Sequence, residues 1–326
     1  MLKNKYLIKF PHGLMFHRFH RAGSLPSGQG SITSEEFEKI INYVGIKNII
    51  SAEEWLNKIK RKKLKKSNLC ITFDDGLRCQ KEIALPILNK YKIKAFWFIY
   101  SSIFEGDLIK SEVYSYFGSR HYKNIDIFFN KFFDYCGEKI ISKLKEKKFR
   151  QYRQKTILAS PFYSINDLKF RFIRNELLTK NQFEKIVDKI IKEKGASLIK
   201  MSKDLWLSNL ELKKLDRNGH WLGLHSYNHP FQLSKLSYEQ QLEQYQKNYN
   251  HLSILIGKKI VSMSHPLGSY NSSTLKILSQ LKIDCGFRSN MVPPQGKKIN
   301  PTNLEIARED GQNIIKMLEK TNNKIF

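Results

Sequence analysis

The sequence lacks the features that would place it across a membrane or outside the cell. No apolar run approaches the roughly 20 residues of a membrane span. The first residues, MLKNKYLIKFPHG, carry positive charge but have neither the apolar core nor the small-residue cleavage site of a secretory signal. The four cysteines show no CxxC spacing, which is typical of reduced thiols in a cytoplasm. We therefore expect a cytoplasmic protein, associated with a membrane only through its surface.

Acidic residues are scarce relative to basic ones, 30 against 57, which gives a net charge of +27. Between residues 139 and 200 alone, Lys and Arg number 17 and Asp and Glu number 6. Such a surface attracts anions. No helix-turn-helix, zinc-finger or RNP-like pattern accompanies the charge, which argues against a nucleic-acid partner. A phosphorylated substrate, peripheral contact with an anionic membrane and a merely solvated helical face all remain open.

The most informative stretch is LCITFDDG, residues 69–76, where an apolar strand-like run ends in Asp74, Asp75 and a glycine. Adjacent carboxylates repel each other unless a cation or a proton in transfer stabilises them. Asp and Gly are also ordinary turn residues, so a strand-to-turn junction is the alternative. If both acids reach one cleft, one is placed to hold a metal and the other to take a proton from water.

A second apolar run, WLGL at residues 221–224, ends in His225 and His229. Two imidazoles four residues apart suit a transition metal when they lie on one side of a helix or tight turn. Pro230 disfavours a helix at the preceding residue, so we predict a turn. A surface turn without metal is the alternative. Because both histidines and both acids follow strand-like runs, the pattern favours a metal site.

Together, TFDDG and the later HSxxH resemble the polysaccharide deacetylase family, also called the NodB-homology family or family 4 carbohydrate esterases. The resemblance covers residues from about Gly13 to Asp310. It implies that Asp74 is the general base, and that Asp75, His225 and His229 bind a divalent metal, commonly zinc. It also implies metal-assisted deacylation on a distorted (β/α) barrel.

The third family motif, Arg-x-Pro-aromatic-Gly, is altered here to Ser264-His265-Pro266-Leu267-Gly268. The resemblance implies that the backbone amide of Leu267 stabilises the oxyanion. The arginine that normally orients the base is missing, and Arg308 is a candidate replacement from a late strand. The family's late histidine, the usual general acid, is also missing, since no histidine follows His265.

Our hypothesis is that a different histidine, His17 or His265, protonates the leaving amine. His17 lies in GLMFHRFH, residues 13–20, which resembles the MYHR opening of many bacterial members. Active sites of such barrels lie at the carboxyl ends of the strands, where His17 would face Asp74. A hydrogen-bonded structural role for His17 is the alternative.

Apolar runs alternate with helical patterns along most of the chain, which predicts an α/β fold with a largely parallel sheet. We predict a single domain over residues 1–326, with strands near residues 69–73, 95–100, 221–224, 260–263, 285–288 and 304–307. Residues 105–203 have few strand signals and many basic and aromatic residues, which predicts a basic helical insertion.

The predicted function is metal-dependent removal of an N-acyl group from a sugar during synthesis of a surface polysaccharide or lipopolysaccharide. The substrate would be an acylated sugar or glycan, nucleotide-linked or lipid-linked. One alternative is a non-catalytic carbohydrate-binding or anion-binding protein, which the altered third motif suggests. Another is a deformylase of a lipid-linked amino sugar. The four residues Asp74, Asp75, His225 and His229 favour an enzyme.

Overall fold

The structure, a computed structural model, describes residues 9–21, 30–203 and 205–322. Its centre is a sheet of seven strands in the order β6-β5-β4-β3-β2-β1-β7, and every neighbouring pair is parallel. The strands are β1 (His12–Phe16), β2 (Leu69–Asp74), β3 (Phe96–Ile99), β4 (Trp221–Leu224), β5 (Ser262–Ser264), β6 (Cys285–Phe287) and β7 (Arg308–Asp310).

The two edges of this sheet approach each other and nearly close it into a barrel. Phe287 of β6 forms a parallel bridge with Ile306, two residues before β7. The amide of Ile306 donates to the carbonyl of Gly286 over 2.9 Å, and the amide of Arg288 donates to the carbonyl of Ile306 over 2.7 Å. The predicted distorted (β/α) barrel is confirmed.

Helices surround the strands. They are α1 (Ser34–Val44), α2 (Ala52–Lys60), α3 (Leu85–Lys90), α4 (Lys110–His121), α5 (Ile125–Cys136), α6 (Glu138–Ser142), α7 (Lys147–Ala159), α8 (Ile165–Phe172), α9 (Lys180–Glu193), α10 (Leu198–Ser202), α11 (Asn209–Arg217), α12 (Tyr238–Ile256), α13 (Ser272–Gln280) and α14 (Gly311–Asn322). Among the helices that the structure describes, none combines the length and apolarity needed to cross a bilayer.

The alternation of side chains along the strands separates two apolar cores. Leu69, Ile71 and Phe73 of β2 belong to a cluster that includes residues of α1, α3, α12 and α13. Cys70, on the opposite face of β2, joins Phe287 in a second cluster inside the barrel. Asp74 follows the same alternation as Cys70, so its side chain faces the barrel interior.

The chain between β3 and α11 is helical and has a core of its own. Aromatic residues dominate this core: Tyr114, Phe117, Phe128, Phe129, Phe132, Phe170 and Phe183. We keep the name helical insertion for residues 105–203. Because it leaves the sheet at the carboxyl end of β3, it begins on the side where Asp74 ends β2.

Candidate active site

Asp74 and Asp75 lie buried at the carboxyl end of β2, 2% and 3% exposed respectively. Simple alternation would send Asp75 to the opposite face, but its φ of 74° turns the chain back. A left-handed conformation costs a non-glycine residue roughly 1–2 kcal/mol. Such strain persists where surrounding structure enforces it, and it concentrates at functional sites. The turn at Asp75 therefore brings both carboxylates into one cleft.

Asp75, His225 and His229 form a compact triangle of ligand atoms. Asp75 Oδ1 lies 3.4 Å from His225 Nε2 and 3.5 Å from His229 Nε2. Ligand atoms about 2.1 Å from a tetrahedral metal ion would lie roughly 3.4 Å from one another. Asp75 Oδ1 is also buried without a hydrogen bond of good geometry, which a bound cation would remedy. These three residues therefore fit a divalent metal.

The two histidines lie on a bent segment after β4 that is not helical. Ser226 and His229 both have positive φ, 64° and 52°. Asn248 of α12 fixes the start of the segment, because its Oδ1 accepts from the amide of His225 over 2.9 Å. Its Nδ2 donates to the carbonyl of Ile99 over 2.9 Å, which ties the segment to β3.

Arg308 of β7 crosses the barrel interior and forms a bidentate ion pair with Asp74. Nη1 donates to Oδ1 over 2.7 Å and Nη2 donates to Oδ2 over 2.6 Å. Its Nε donates to the carbonyl of Arg288 over 2.6 Å. Gly13 makes the passage possible, since a Cβ there would lie 3.0 Å from Arg308 Cγ. The paired geometry fixes the plane of the carboxylate.

Ser264 connects the Asp74 carboxylate to the metal-ligand triangle. Its hydroxyl donates to Asp74 Oδ1 over 3.1 Å and lies 2.7 Å from His225 Nδ1. Nδ1 is also 3.0 Å from the carbonyl oxygen of Ser264, which can only accept, so Nδ1 carries the proton. His225 Nε2 therefore presents its lone pair toward Asp75. Contacts of this kind orient the ligands of metal sites.

The electrostatics favour charged carboxylates and an uncharged His229. Although burial opposes ionisation, the Arg308 guanidinium lowers the pKa of Asp74 to about 2. Burial likewise opposes the ionisation of Asp75, but its contact with His225 holds its pKa below the usual range. Burial lowers the pKa of His229 to about 4. At neutral pH the site thus offers a carboxylate and a neutral imidazole to a metal.

His17 directly follows β1, which flanks β2 on the side away from β4 and the two metal-ligand histidines. Its Nε2 is 3.6 Å from Asp74 Oδ2, and its side chain is 31% exposed. Gln80 holds the two strand ends together, because its Nε2 donates to the carbonyl of Asp74 over 2.6 Å and to that of His17 over 2.8 Å. No pattern in the sequence predicts this role for Gln80.

The buried acids and histidines of this cleft lie in a part of the chain that matches a known protein family. The model described as "Polysaccharide deacetylase" matches residues 61–115 and 186–286, which include both acids and both histidines of the cleft. The chain matches the polysaccharide deacetylase family in these two ranges. It is accordingly a hydrolase of carbon–nitrogen bonds that acts on acetylated sugars. A search of curated proteins found no match.

Solved structures of similar fold support the barrel assignment. The Streptococcus pyogenes deacetylase PplD has a TM-score of 0.52 and 16% identity, over 94% of this chain and 97% of PplD. IcaB from Ammonifex degensii has a TM-score of 0.51 and 16% identity, over 92% and 91%. A de-N-acetylase from Aggregatibacter actinomycetemcomitans has a TM-score of 0.51 and 12% identity, over 94% and 98%. At these identities the likeness shows the fold.

One of the two general-acid candidates of this deacetylase is poorly placed for the task. His265 is fully buried, and its Nε2 lies 2.8 Å from the carbonyl oxygen of Leu304. Its ring stacks on Tyr270 with centroids 4.3 Å apart. Burial lowers its pKa to about 3, so it is neutral in the working pH range. The expectation that His265 donates a proton does not suit this position, which leaves His17.

Leu267 lies in a short 3₁₀ turn, Pro266–Gly268, with a φ of 52°. Its side chain is 51% exposed. The amides of Gly268 and Ser269 donate to the carbonyls of His265 and Pro266, both over 2.9 Å. The strained backbone at Leu267 matches that at Asp75, Ser226 and His229. The role of its amide as an oxyanion donor stays a prediction.

Proposed function

We propose that this deacetylase removes an N-acetyl group from an amino sugar in a divalent-metal-dependent reaction, during synthesis of a surface polysaccharide or lipopolysaccharide. The observation that carries the proposal is the Asp75–His225–His229 triangle beside the Asp74–Arg308 ion pair. A binding protein has no use for a buried, charged carboxylate held next to three metal-ligand atoms. The cytoplasmic location stays a prediction.

Two imidazoles and one carboxylate are a ligand set that zinc accepts in catalytic sites, so zinc is the metal that we propose. When bound, such a metal would polarise the amide carbonyl and lower the pKa of a water molecule. In this chain, Asp75, His225 and His229 would hold it. Ser264 would keep His225 in the required tautomer.

Asp74 would accept the proton of the attacking water. It is ionised throughout the physiological range because the Arg308 guanidinium lowers its pKa to about 2 despite burial. Arg308 also fixes both carboxylate oxygens by hydrogen bonds of 2.7 and 2.6 Å. So weak a base acts through its position rather than its basicity.

His17 would protonate the leaving nitrogen. As water oxygen bonds to the acetyl carbon, Asp74 takes one proton, the carbon–nitrogen bond breaks, and the amine leaves with a proton from His17. The products are acetate and the free amino sugar. The position of His17 supports this role, since its Nε2 lies 3.6 Å from Asp74 Oδ2 and part of its ring is exposed to the cleft. Leu267 would supply an amide to the oxyanion.

The experiment is amine release from a panel of N-acetylated and N-formylated sugars by wild type and His17→Gln. We expect His17→Gln to lose about 10²–10⁴-fold in kcat with its metal content unchanged, the usual contribution of a general acid. The matched control is His251→Gln, because His251 is a half-buried histidine of α12 bonded to Asn209. Full activity of His17→Gln would contradict its assigned role.

A further inference from the structure

A single buried side chain connects the two residues that carry the proposed acid and base. The side-chain nitrogen of Gln80 donates to the carbonyl oxygen of Asp74 over 2.6 Å and to that of His17 over 2.8 Å. We call these two hydrogen bonds the amide clamp. Gln80 is fully buried, and it begins the π-helical turn Gln80–Ala84. Single π-helical turns within α-helices are frequent at functional sites.

The amide clamp lies where the pairing of β1 with β2 stops. The last paired residues of the two strands are Phe16 and Phe73. The next pair in this register would be His17 and Asp74, but His17 lies outside the strand. A side chain therefore replaces the strand pairing at the one position where both partners belong to the proposed reaction.

The chain directly after His17 is anchored by other contacts. The carbonyl of Arg18 accepts from the amide of Ile32 over 3.1 Å. The amide of Phe19 donates to Cys79 Sγ over 3.4 Å, and the Phe19 side chain is buried in the apolar core. Because these contacts do not involve the amide clamp, its loss should displace His17 locally and leave the rest of the segment in place.

The glutamine at this position is useful only through its donors. An amide nitrogen has two protons, and the amide clamp uses both. The oxygen of the same side chain, Gln80 Oε1, is buried and has no hydrogen-bond partner among the described residues. A buried acceptor without a partner is destabilising, and an apolar side chain of similar size would avoid that cost. The two donated hydrogen bonds are therefore what glutamine contributes here.

We propose that Gln80 is a positioning residue that acts through His17, because the amide clamp sets the distance between this proposed acid and Asp74. The inference rests on the proposed function of the same cleft. The Asp74 carboxylate has a separate support, since Arg308 donates to both of its oxygens. His17 Nε2 lies 3.6 Å from Asp74 Oδ2, and the amide clamp holds its backbone. A misplacement of about 1 Å can lower a rate by roughly 10²-fold.

The first test compares kcat for amine release from an N-acetylated amino sugar by wild type and Gln80→Met. We expect kcat to fall by about 10–100-fold with metal content unchanged, because the substitution moves the acid and touches none of the three proposed metal ligands. The matched control is Gln241→Met. Gln241 lies in α12, is 1% exposed, and its Nε2 donates to the carbonyl of Leu236 over 2.9 Å. The control should keep the wild-type kcat, and an equal loss in both variants would overturn the proposal.

The second test repeats the substitution in a protein without the acid. Two residues that act through the same step have non-additive effects. The double variant Gln80→Met/His17→Gln should therefore have the same kcat as His17→Gln alone. A further 10–100-fold loss in the double variant would show that Gln80 acts through something other than His17.

The third test uses para-nitrophenyl acetate, whose phenolate leaves without taking up a proton. A misplaced acid slows only the reaction that needs its proton. We expect Gln80→Met to hydrolyse this ester at the wild-type rate and the N-acetylated sugar more slowly. Equal losses on both substrates would indicate a general distortion of the cleft and would overturn the proposal.

A second variant keeps these tests decisive if Gln80→Met does not fold. Gln80→Glu has nearly the same size but at most one side-chain proton, so it can hold only one of the two carbonyls. Its kcat on the N-acetylated sugar should also fall, and its rate on the ester should not. If wild type releases amine and neither variant is slower, the positioning role alone is wrong. If wild type releases no amine from any sugar, the proposed function fails and this inference fails with it.

Discussion

Replacing Arg308 with glutamine should leave the buried Asp74 carboxylate without its counter-charge. The pKa of Asp74 is about 2 against an ordinary value of 3.8, a gap that corresponds to about 2.4 kcal/mol at 1.36 kcal/mol per unit. Because the pKa is lower in the folded protein, this stabilisation is present above the ordinary value and is lost as pH falls through about 2. Removing one partner of a buried pair typically costs roughly 3–5 kcal/mol.

In Arg308→Gln the sign of the pH dependence should reverse. Burial, no longer opposed by the guanidinium, would place the folded-state pKa of Asp74 above its unfolded value. The variant should therefore regain stability as pH falls and the carboxyl group takes up a proton. The acidic limb of the pH profile of kcat/KM should move to higher pH by about 1–3 units for the same reason.

The assay is urea unfolding of metal-free protein between about pH 4 and pH 8, with the free energies of unfolding compared at each pH. Arg288→Gln is the matched control. Arg288 is also buried, and its hydrogen bonds go to the backbone carbonyls of Glu305, Val292 and Ile299. The loss of stability in Arg288→Gln should therefore be independent of pH. A pH-independent deficit in Arg308→Gln as well would refute the proposed charge pairing.

Two further substitutions test the supports of the site. Ser264→Ala removes the hydroxyl between Asp74 and His225. The free energy of unfolding should fall by about 1–3 kcal/mol, and calorimetry should show that zinc binds about 10–100-fold more weakly. Unchanged zinc affinity would exclude the orienting role of Ser264. Gly13→Ala places a methyl group 3.0 Å from Arg308 Cγ. The variant should keep its metal, but its kcat should fall and its free energy of unfolding should drop by about 1–3 kcal/mol. If its kcat and unfolding curve equal those of the wild type, Arg308 needs no such clearance.

The barrel could be predicted from the sequence because its strands are short apolar runs. The run at residues 221–224 coincides with β4, and that at residues 69–73 lies within β2. The last strand is the exception, since it comprises Arg308–Asp310 rather than residues 304–307. Three charged residues do not resemble a strand, and their pairing with β1 depends on closure of the barrel, which is not local in sequence.

The acid pair and the two histidines could be found from sequence because each follows an apolar run. The backbone conformation that brings these side chains into one cleft could not be predicted. Asp75, Ser226, His229 and Leu267 adopt the left-handed conformation without being glycine, and no composition signal marks them. The burial of His265 was equally hidden, because its neighbours Leu304 and Tyr270 are distant or lie around a turn.

The most direct measurement is metal content together with amine release for wild type and Asp74→Asn on an N-acetylated amino sugar. We expect one divalent metal ion in both proteins, because Asp75, His225 and His229 are intact, and turnover only in wild type. Wild type without stoichiometric metal, or Asp74→Asn with unchanged turnover, would contradict the division of labour between the two adjacent carboxylates.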